Sequence, residues 1–178
     1  FTLDGLNNLS KNEELINLMQ ALKQDGFMLA VCSNSIRATV DIVLKKFGIY
    51  DFFELVISNE DVKNSKPHPE MYWTAMSTLQ ILPEETLIVE DSHYGREAAI
   101  SSGAKLLPIK NINELSLKKI KLHLNSKKNE NNTNNISWVD NKMNVLIPMA
   151  GAGKRFFDAG PCRNRQACFR ARGCYELR

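Results

Sequence analysis

The run Thr86-Leu87-Ile88-Val89-Glu90-Asp91-Ser92-His93-Tyr94-Gly95-Arg96-Glu97-Ala98-Ala99 constrains the fold more than any other stretch. Leu87 to Glu90 reads as a buried strand that ends in acid. Glu90 and Asp91 sit where it stops, Ser92 to Gly95 is a turn, and Arg96 to Ser101 starts a small-residue helix. Ligands in open α/β sheets bind outside the carboxyl ends of strands. Adjacent carboxylates there are hard oxygen ligands suited to Mg²⁺. Taken alone, the segment reads better as a solvated acidic turn. Two further polar strand ends precede it in order, and they favour a shared site.

Along the chain, Ser10 to Glu13 has the Ser-x-x-Glu form of a capping box and opens a helix with Leu15, Leu18, Met19 and Leu22 on one face. Asp25-Gly26 ends it. Phe27 to Cys32 is an unbroken apolar run, the pattern of a parallel strand covered on both faces. It stops at Ser33-Asn34-Ser35. Ile36 to Phe47 reads as a helix with Val40, Val43, Leu44 and Phe47 inward and Gly48 as its stop. Phe52 to Ile57 reads as a short strand. Residues 61–69 form a loop holding Lys66, Pro67 and Pro69; Glu70 to Leu79 is a helix, and Lys105 to Ile109 a last short strand before a weaker helix over 112–124. This alternation predicts an α/β, Rossmann-like parallel sheet with helices on both faces.

Composition narrows the function classes. The 178 residues carry 43% hydrophobic and 24% charged side chains, which allows a sizeable core. A net charge of +3 is too small to argue for nucleic acid. No apolar run reaches membrane-spanning length and no signal peptide is read at the start, so no membrane partner is expected. Cys32 alone of the four cysteines lies before residue 161, which points to a reducing cytoplasm rather than a disulfide scaffold. Residues 125–142, rich in asparagine and lysine, have almost nothing to bury and read as a linker. Beyond it, Met143 to Pro148 is a strand, and Met149 to Phe156 a glycine-containing loop entering a helix.

The three polar strand ends describe one kind of chemistry. A hydroxyl and backbone amides at Ser33-Asn34-Ser35 can hold phosphate oxygens. Lys66 on a stiff loop can neutralise charge on a phosphoryl group. Glu90 and Asp91 can hold Mg²⁺. Together they make a phosphoryl-transfer site that lacks a nucleophile.

Val31-Cys32-Ser33-Asn34-Ser35, Lys66-Pro67-His68-Pro69-Glu70-Met71-Tyr72 and Val89-Glu90-Asp91-Ser92-x-x-Gly95 resemble motifs II, III and IV of haloacid dehalogenase-like hydrolases, in the subgroup of β-phosphoglucomutase and phosphoglycolate phosphatase. The resemblance covers residues 10–110. It implies that Ser33 binds the transferred phosphoryl group, that Asn34 supports it, that Lys66 bridges nucleophile and phosphate, and that Asp91 with Glu90 serves Mg²⁺. The substrate it implies is a small phosphorylated metabolite. Ser35, His68 and Tyr72 are read as shaping loops. The family's motif I, Asp-x-Asp-Gly, has one local echo, Thr2-Leu3-Asp4-Gly5, with Thr2 where the nucleophile belongs. Asp4 is therefore read as a chance match, with motif I and most of the cap lost upstream of Phe1.

Met143 to Phe156, containing Gly151, Gly153, Lys154 and Arg155, resembles the opening of a sugar-phosphate nucleotidyltransferase. The glycine loop would approach a nucleoside triphosphate closely, with Arg155 on its phosphates. The expected organisation is thus a hydrolase core over 1–124, a linker over 125–142, a nucleotidyltransferase stub over 143–160 and an atypical tail over 161–178. That tail holds five of the eight arginines and three cysteines, and is read as a frameshift, vector-encoded end or fragment boundary. The leading expectation is a truncated, inactive piece of a bifunctional enzyme. The alternative is a non-catalytic binding or regulatory module that retains the hydrolase fold.

Overall fold

The computed structural model describes residues 9–124 and the backbone of residues 125–126 and 144–148. Five parallel strands form one sheet: β1 (Leu29–Cys32), β2 (Leu55–Ile57), β3 (Thr86–Glu90), β4 (Lys105–Pro108) and β5 (Asn144–Pro148), in the order β2-β1-β5-β3-β4. The helices are α1 (Glu13–Gln24), α2 (Arg37–Phe47), α3 (Glu70–Leu79), α4 (His93–Ser102) and α5 (Leu117–Ser126).

Strand residues alternate between two cores, as the two-residue period of a pleated strand requires. Leu29, Val31, Leu87, Val89 and Leu107 pack on one face with Leu18, Met19 and Leu22 of α1, Val43 and Leu44 of α2, and Ile120 of α5. Ala30, Cys32, Ile57 and Ile88 pack on the other with Met71, Tyr72 and Ala75 of α3 and Ala98 and Ala99 of α4. The sheet is therefore covered on both faces, which is why its strands read as unbroken apolar runs. No described helix is long and apolar enough to cross a membrane.

Three local expectations shift. Helix α1 is capped by Asn12, whose side chain accepts from Leu15 N at 3.0 Å, rather than by Ser10. Asn12 sits next to Glu13 and Glu14, which then occupy the first turn where the helix dipole favours anions. Replacing Asn12 by alanine should lower stability by about 1 kcal/mol in a urea unfolding curve, while Ser10→Ala should leave it unchanged. The strand expected over 52–57 shortens to Leu55–Ile57, because Tyr50–Phe52 closes a 3-10 turn that brings Phe52 N to Ile49 O. The helix expected over 112–124 begins at Leu117, after a 3-10 turn at Ile112–Glu114.

The largest difference concerns residues 144–148. The sequence reading places them in a second unit beyond the linker. The backbone places them in the centre of the first sheet, pairing Leu29, Ala30, Val31 and Cys32 with Val145, Leu146, Ile147 and Pro148, and Thr86 to Ile88 with Asn144 to Leu146. An apolar strand in that slot satisfies the inner hydrogen-bonding edges of both β1 and β3, which a linker read by composition does not reveal. Asp4, Gly151, Gly153 and Arg155 lie outside the described residues.

Candidate active site

The carboxyl ends of β1 and β3 bring the polar clusters together. Strand β1 stops at Ser33, whose amide donates to Ile57 O at 2.9 Å and whose hydroxyl accepts from Ser35 N at 3.2 Å. Asn34 then grips the next loop by both ends of its amide. Its Oδ1 accepts from Lys66 N at 3.1 Å and its Nδ2 donates to Lys66 O at 3.2 Å. Expected to support a phosphate, Asn34 is found clamping the backbone that carries the lysine.

Lys66 turns inward. Its Nζ donates to Cys32 O at 3.1 Å and to Glu90 Oε1 at 2.5 Å. The side chains of the pair are 1% and 0% exposed. A buried ion pair of this kind needs its remaining lone pairs satisfied, and Glu90 has them satisfied. Oε1 also accepts from the Tyr72 hydroxyl at 2.6 Å, and Oε2 accepts from Ser92 Oγ at 3.0 Å and Ser92 N at 3.3 Å. The Lys66 ammonium lies 4.7 Å from the centre of the Tyr72 ring. Burial first, and then the Glu90 charge, push the Tyr72 hydroxyl well above its ordinary range, so it stays a donor. Burial likewise raises the Cys32 thiol to about 12, against a smaller opposing pull from Lys66, so this cysteine is no thiolate nucleophile.

Glu90 thus departs from its expected role beside Asp91 as a metal ligand. Both its oxygens face donors of this chain, and the carboxylate acts as the anchor of Lys66. The sequence shows two adjacent acids but not which way their lone pairs point. Asp91 follows at the strand end, where its carbonyl accepts from Arg96 Nη2 at 3.2 Å; the same nitrogen reaches Ile109 O at 2.8 Å and ties β3 to β4. Among the described residues no three His, Cys, Asp or Glu side chains converge in a way that could hold a metal. Mg²⁺ is commonly held through one or two carboxylates together with waters and substrate phosphates, which leaves Asp91 as the ligand these residues could offer. The described residues do not complete a Mg²⁺ site.

The sequence motifs assign no chemistry to Tyr72, Ser92 or Gly95, yet all three surround the Glu90 carboxylate. Tyr72 belongs to α3 and not to a loop. Ser92 serves twice, as the N-cap of α4 through Gly95 N at 3.0 Å and as a donor to Glu90. The available signal was the strand itself: a glutamate closing a fully apolar strand must find donors nearby. His68 does shape its loop, accepting from Glu70 N at 3.1 Å and meeting the edge of Trp73.

Chemically, the arrangement holds an ammonium in a dry position at the sheet's carboxyl edge. Its described acceptors, Cys32 O and Glu90 Oε1, take two of its three donors. The third could serve an anionic oxygen only where the carboxyl edge opens to admit one, since the side chain is buried, and the low local dielectric would strengthen that attraction.

The sequence pattern of the family described as haloacid dehalogenase-like hydrolase matches residues 3–109. Over 93 residues the chain is 40% identical to pyrophosphatase PpaX of Anoxybacillus flavithermus, covering 52% of this chain and 43% of that protein. The chain therefore spans less than half the length of that relative. A hydrolase of the same superfamily from Geobacter sulfurreducens superposes with a TM-score of 0.52 at 31% identity, covering 57% of this chain and 51% of that one. β-Phosphoglucomutase from Clostridium difficile gives a TM-score of 0.60 at 22% identity, over 69% and 61% of the two chains, a likeness of fold alone.

Proposed function

The chain belongs to the haloacid dehalogenase-like hydrolase family, and on that premise we propose that it carries the phosphate-holding part of a phosphoryl-transfer hydrolase, a phosphatase or phosphomutase for a small phosphorylated metabolite. The observation that carries this reading is the buried Lys66, clamped by Asn34 and anchored by Glu90 with one donor in reserve. The name of the PpaX relative, a pyrophosphatase, fits a phosphate ester or anhydride as substrate. A sugar phosphate as that metabolite is suggested by the two sequence resemblances taken together, the hydrolase over 10–110 and the sugar-phosphate nucleotidyltransferase over 143–156.

In this proposal Lys66 and the Ser33 turn hold the phosphoryl oxygens and offset charge as it shifts during transfer. A carboxylate expected from motif I attacks phosphorus as the bond to the leaving oxygen breaks, and water then hydrolyses the acyl phosphate. In the intact enzyme Asp91 would hold Mg²⁺, which would offset charge on the phosphoryl oxygens. The sequence resemblance over 143–160 supports a nucleotidyltransferase in an intact, bifunctional protein, with Gly151, Gly153 and Arg155 at a nucleoside triphosphate, although residues 144–148 pair with β1 and β3 here.

A second reading is favoured by one observation. The central strand sets Pro148, and not a carboxylate, in register with Cys32. The chain by itself is then a binding module without turnover.

Calorimetric titration of the full chain with orthophosphate tests both readings. Binding that disappears in Lys66→Met, and stays absent when Glu90→Gln is added to restore the fold, is expected, with no hydrolysis of p-nitrophenyl phosphate by the unaltered chain. Orthophosphate affinity indifferent to Lys66→Met would sink the phosphoryl-transfer reading, and rapid hydrolysis would sink the inactive one. Titrating a nucleoside triphosphate in the same way judges the second unit: affinity unchanged in Arg155→Ala removes it.

A further inference from the structure

We propose that Tyr72 is a positioning residue that divides Glu90 between two donors and so keeps the Lys66 ammonium in reach of an anionic ligand. The inference deepens the phosphate-holding role proposed for Lys66 and rests on that reading for its ligand. Tyr72 is fully buried on α3, and its side chain touches both members of the ion pair. Its hydroxyl reaches Glu90 Oε1 at 2.6 Å, the same oxygen that Lys66 Nζ reaches at 2.5 Å. Its ring lies 4.7 Å from that Nζ.

A core residue that only filled volume would have no use for the hydroxyl, since phenylalanine occupies nearly the same space. The hydroxyl changes the electrostatics of the pair. A carboxylate oxygen that accepts a short bond from a neutral donor has less charge to offer a second one. The other oxygen is already held by Ser92. Without the Tyr72 hydroxyl, Oε1 turns wholly to Lys66. The ammonium is then drawn toward Glu90 and Cys32 O and gives less to a ligand. The ring face limits its movement in the other direction.

The full chain labelled with [¹⁵N]lysine gives the test, with orthophosphate as the probe. The Lys66 Nζ resonance is assigned by its loss in Lys66→Met. In Tyr72→Phe that resonance is expected to move and orthophosphate affinity to fall about two- to tenfold. A resonance that stays in place while only the melting temperature drops overturns the proposal and leaves Tyr72 a packing residue. If Tyr72→Phe does not fold, 3-fluorotyrosine labelling of the unaltered chain strengthens the hydroxyl as a donor; the Lys66 resonance must then shift, and a fixed resonance overturns the proposal. If the unaltered chain takes no orthophosphate, the proposed function fails, and the Lys66 resonance still decides whether Tyr72 sets its position.

Discussion

Replacing Lys66 by alanine is expected to lower the unfolding free energy by about 3–5 kcal/mol, because it leaves the Glu90 carboxylate buried with no opposite charge. The burial makes the effect large. With 1% and 0% exposure, neither member of the pair can recover hydration without opening the carboxyl edge of the sheet. An exposed pair such as Arg37 and Asp61, at side-chain exposures of 36% and 37%, is worth roughly 0–1 kcal/mol by comparison. Tyr72 and Ser92 still donate to Glu90 in the variant, but neutral donors do not replace a cation. Adding Glu90→Gln removes the orphaned charge, so the double variant should regain most of what the single one loses. Urea unfolding of the two variants checks both statements. A single variant within about 1 kcal/mol of the unaltered chain would mean that the pair opens to water in solution, contrary to the geometry.

The same pair shows what a sequence discloses and what it leaves open. The run from Leu87 to Glu90 announces a buried strand, and β3 is buried from Thr86 to Glu90. The helix faces of Leu15, Leu18, Met19 and Leu22, and of Val40, Val43, Leu44 and Phe47, are likewise buried, because apolar periodicity is a local property. Gly48 ends α2 at φ 73°, a conformation glycine adopts at little cost. Pairings between distant segments are of another kind. Nothing local tells Tyr72 that its hydroxyl will meet a carboxylate eighteen residues away. Nothing local tells residues 144–148 that their partners are β1 and β3. Motif order groups Ser33, Asn34, Lys66 and Glu90 in the sequence, but only distances show Asn34 on the Lys66 backbone and Glu90 on its ammonium.

Gly95→Ala is the second large expected effect, and two terms of opposite sign decide it. Gly95 lies in α4, where alanine is intrinsically better by about 0.8–1.0 kcal/mol. Its φ is not positive, unlike those of Gly26, Gly48 and Gly103 among the described glycines, so the backbone would accept alanine. On conformational grounds the substitution should stabilise. Yet a Cβ built at Gly95 falls closer than 3.0 Å to Cδ, Oε1 and Oε2 of Glu90. Glu90 is fully buried and held by Lys66, Tyr72 and Ser92, so it has no open space to move into. Overpacking alone costs about 1–3 kcal/mol. Displacing the carboxylate also weakens hydrogen bonds to a charged group, worth about 1.5–3 kcal/mol each. The sum exceeds the helix gain, so Gly95→Ala should destabilise the chain by about 3 kcal/mol or more and reduce orthophosphate affinity with it. Shortening the acid tests the cause. Glu90→Asp alone should destabilise, since it draws the carboxylate away from Lys66; combined with Gly95→Ala it should restore part of the loss, because the shorter side chain vacates the space the methyl needs. Simple addition of the two losses would place the defect elsewhere in α4 and remove the carboxylate from the explanation of why glycine stands at this position.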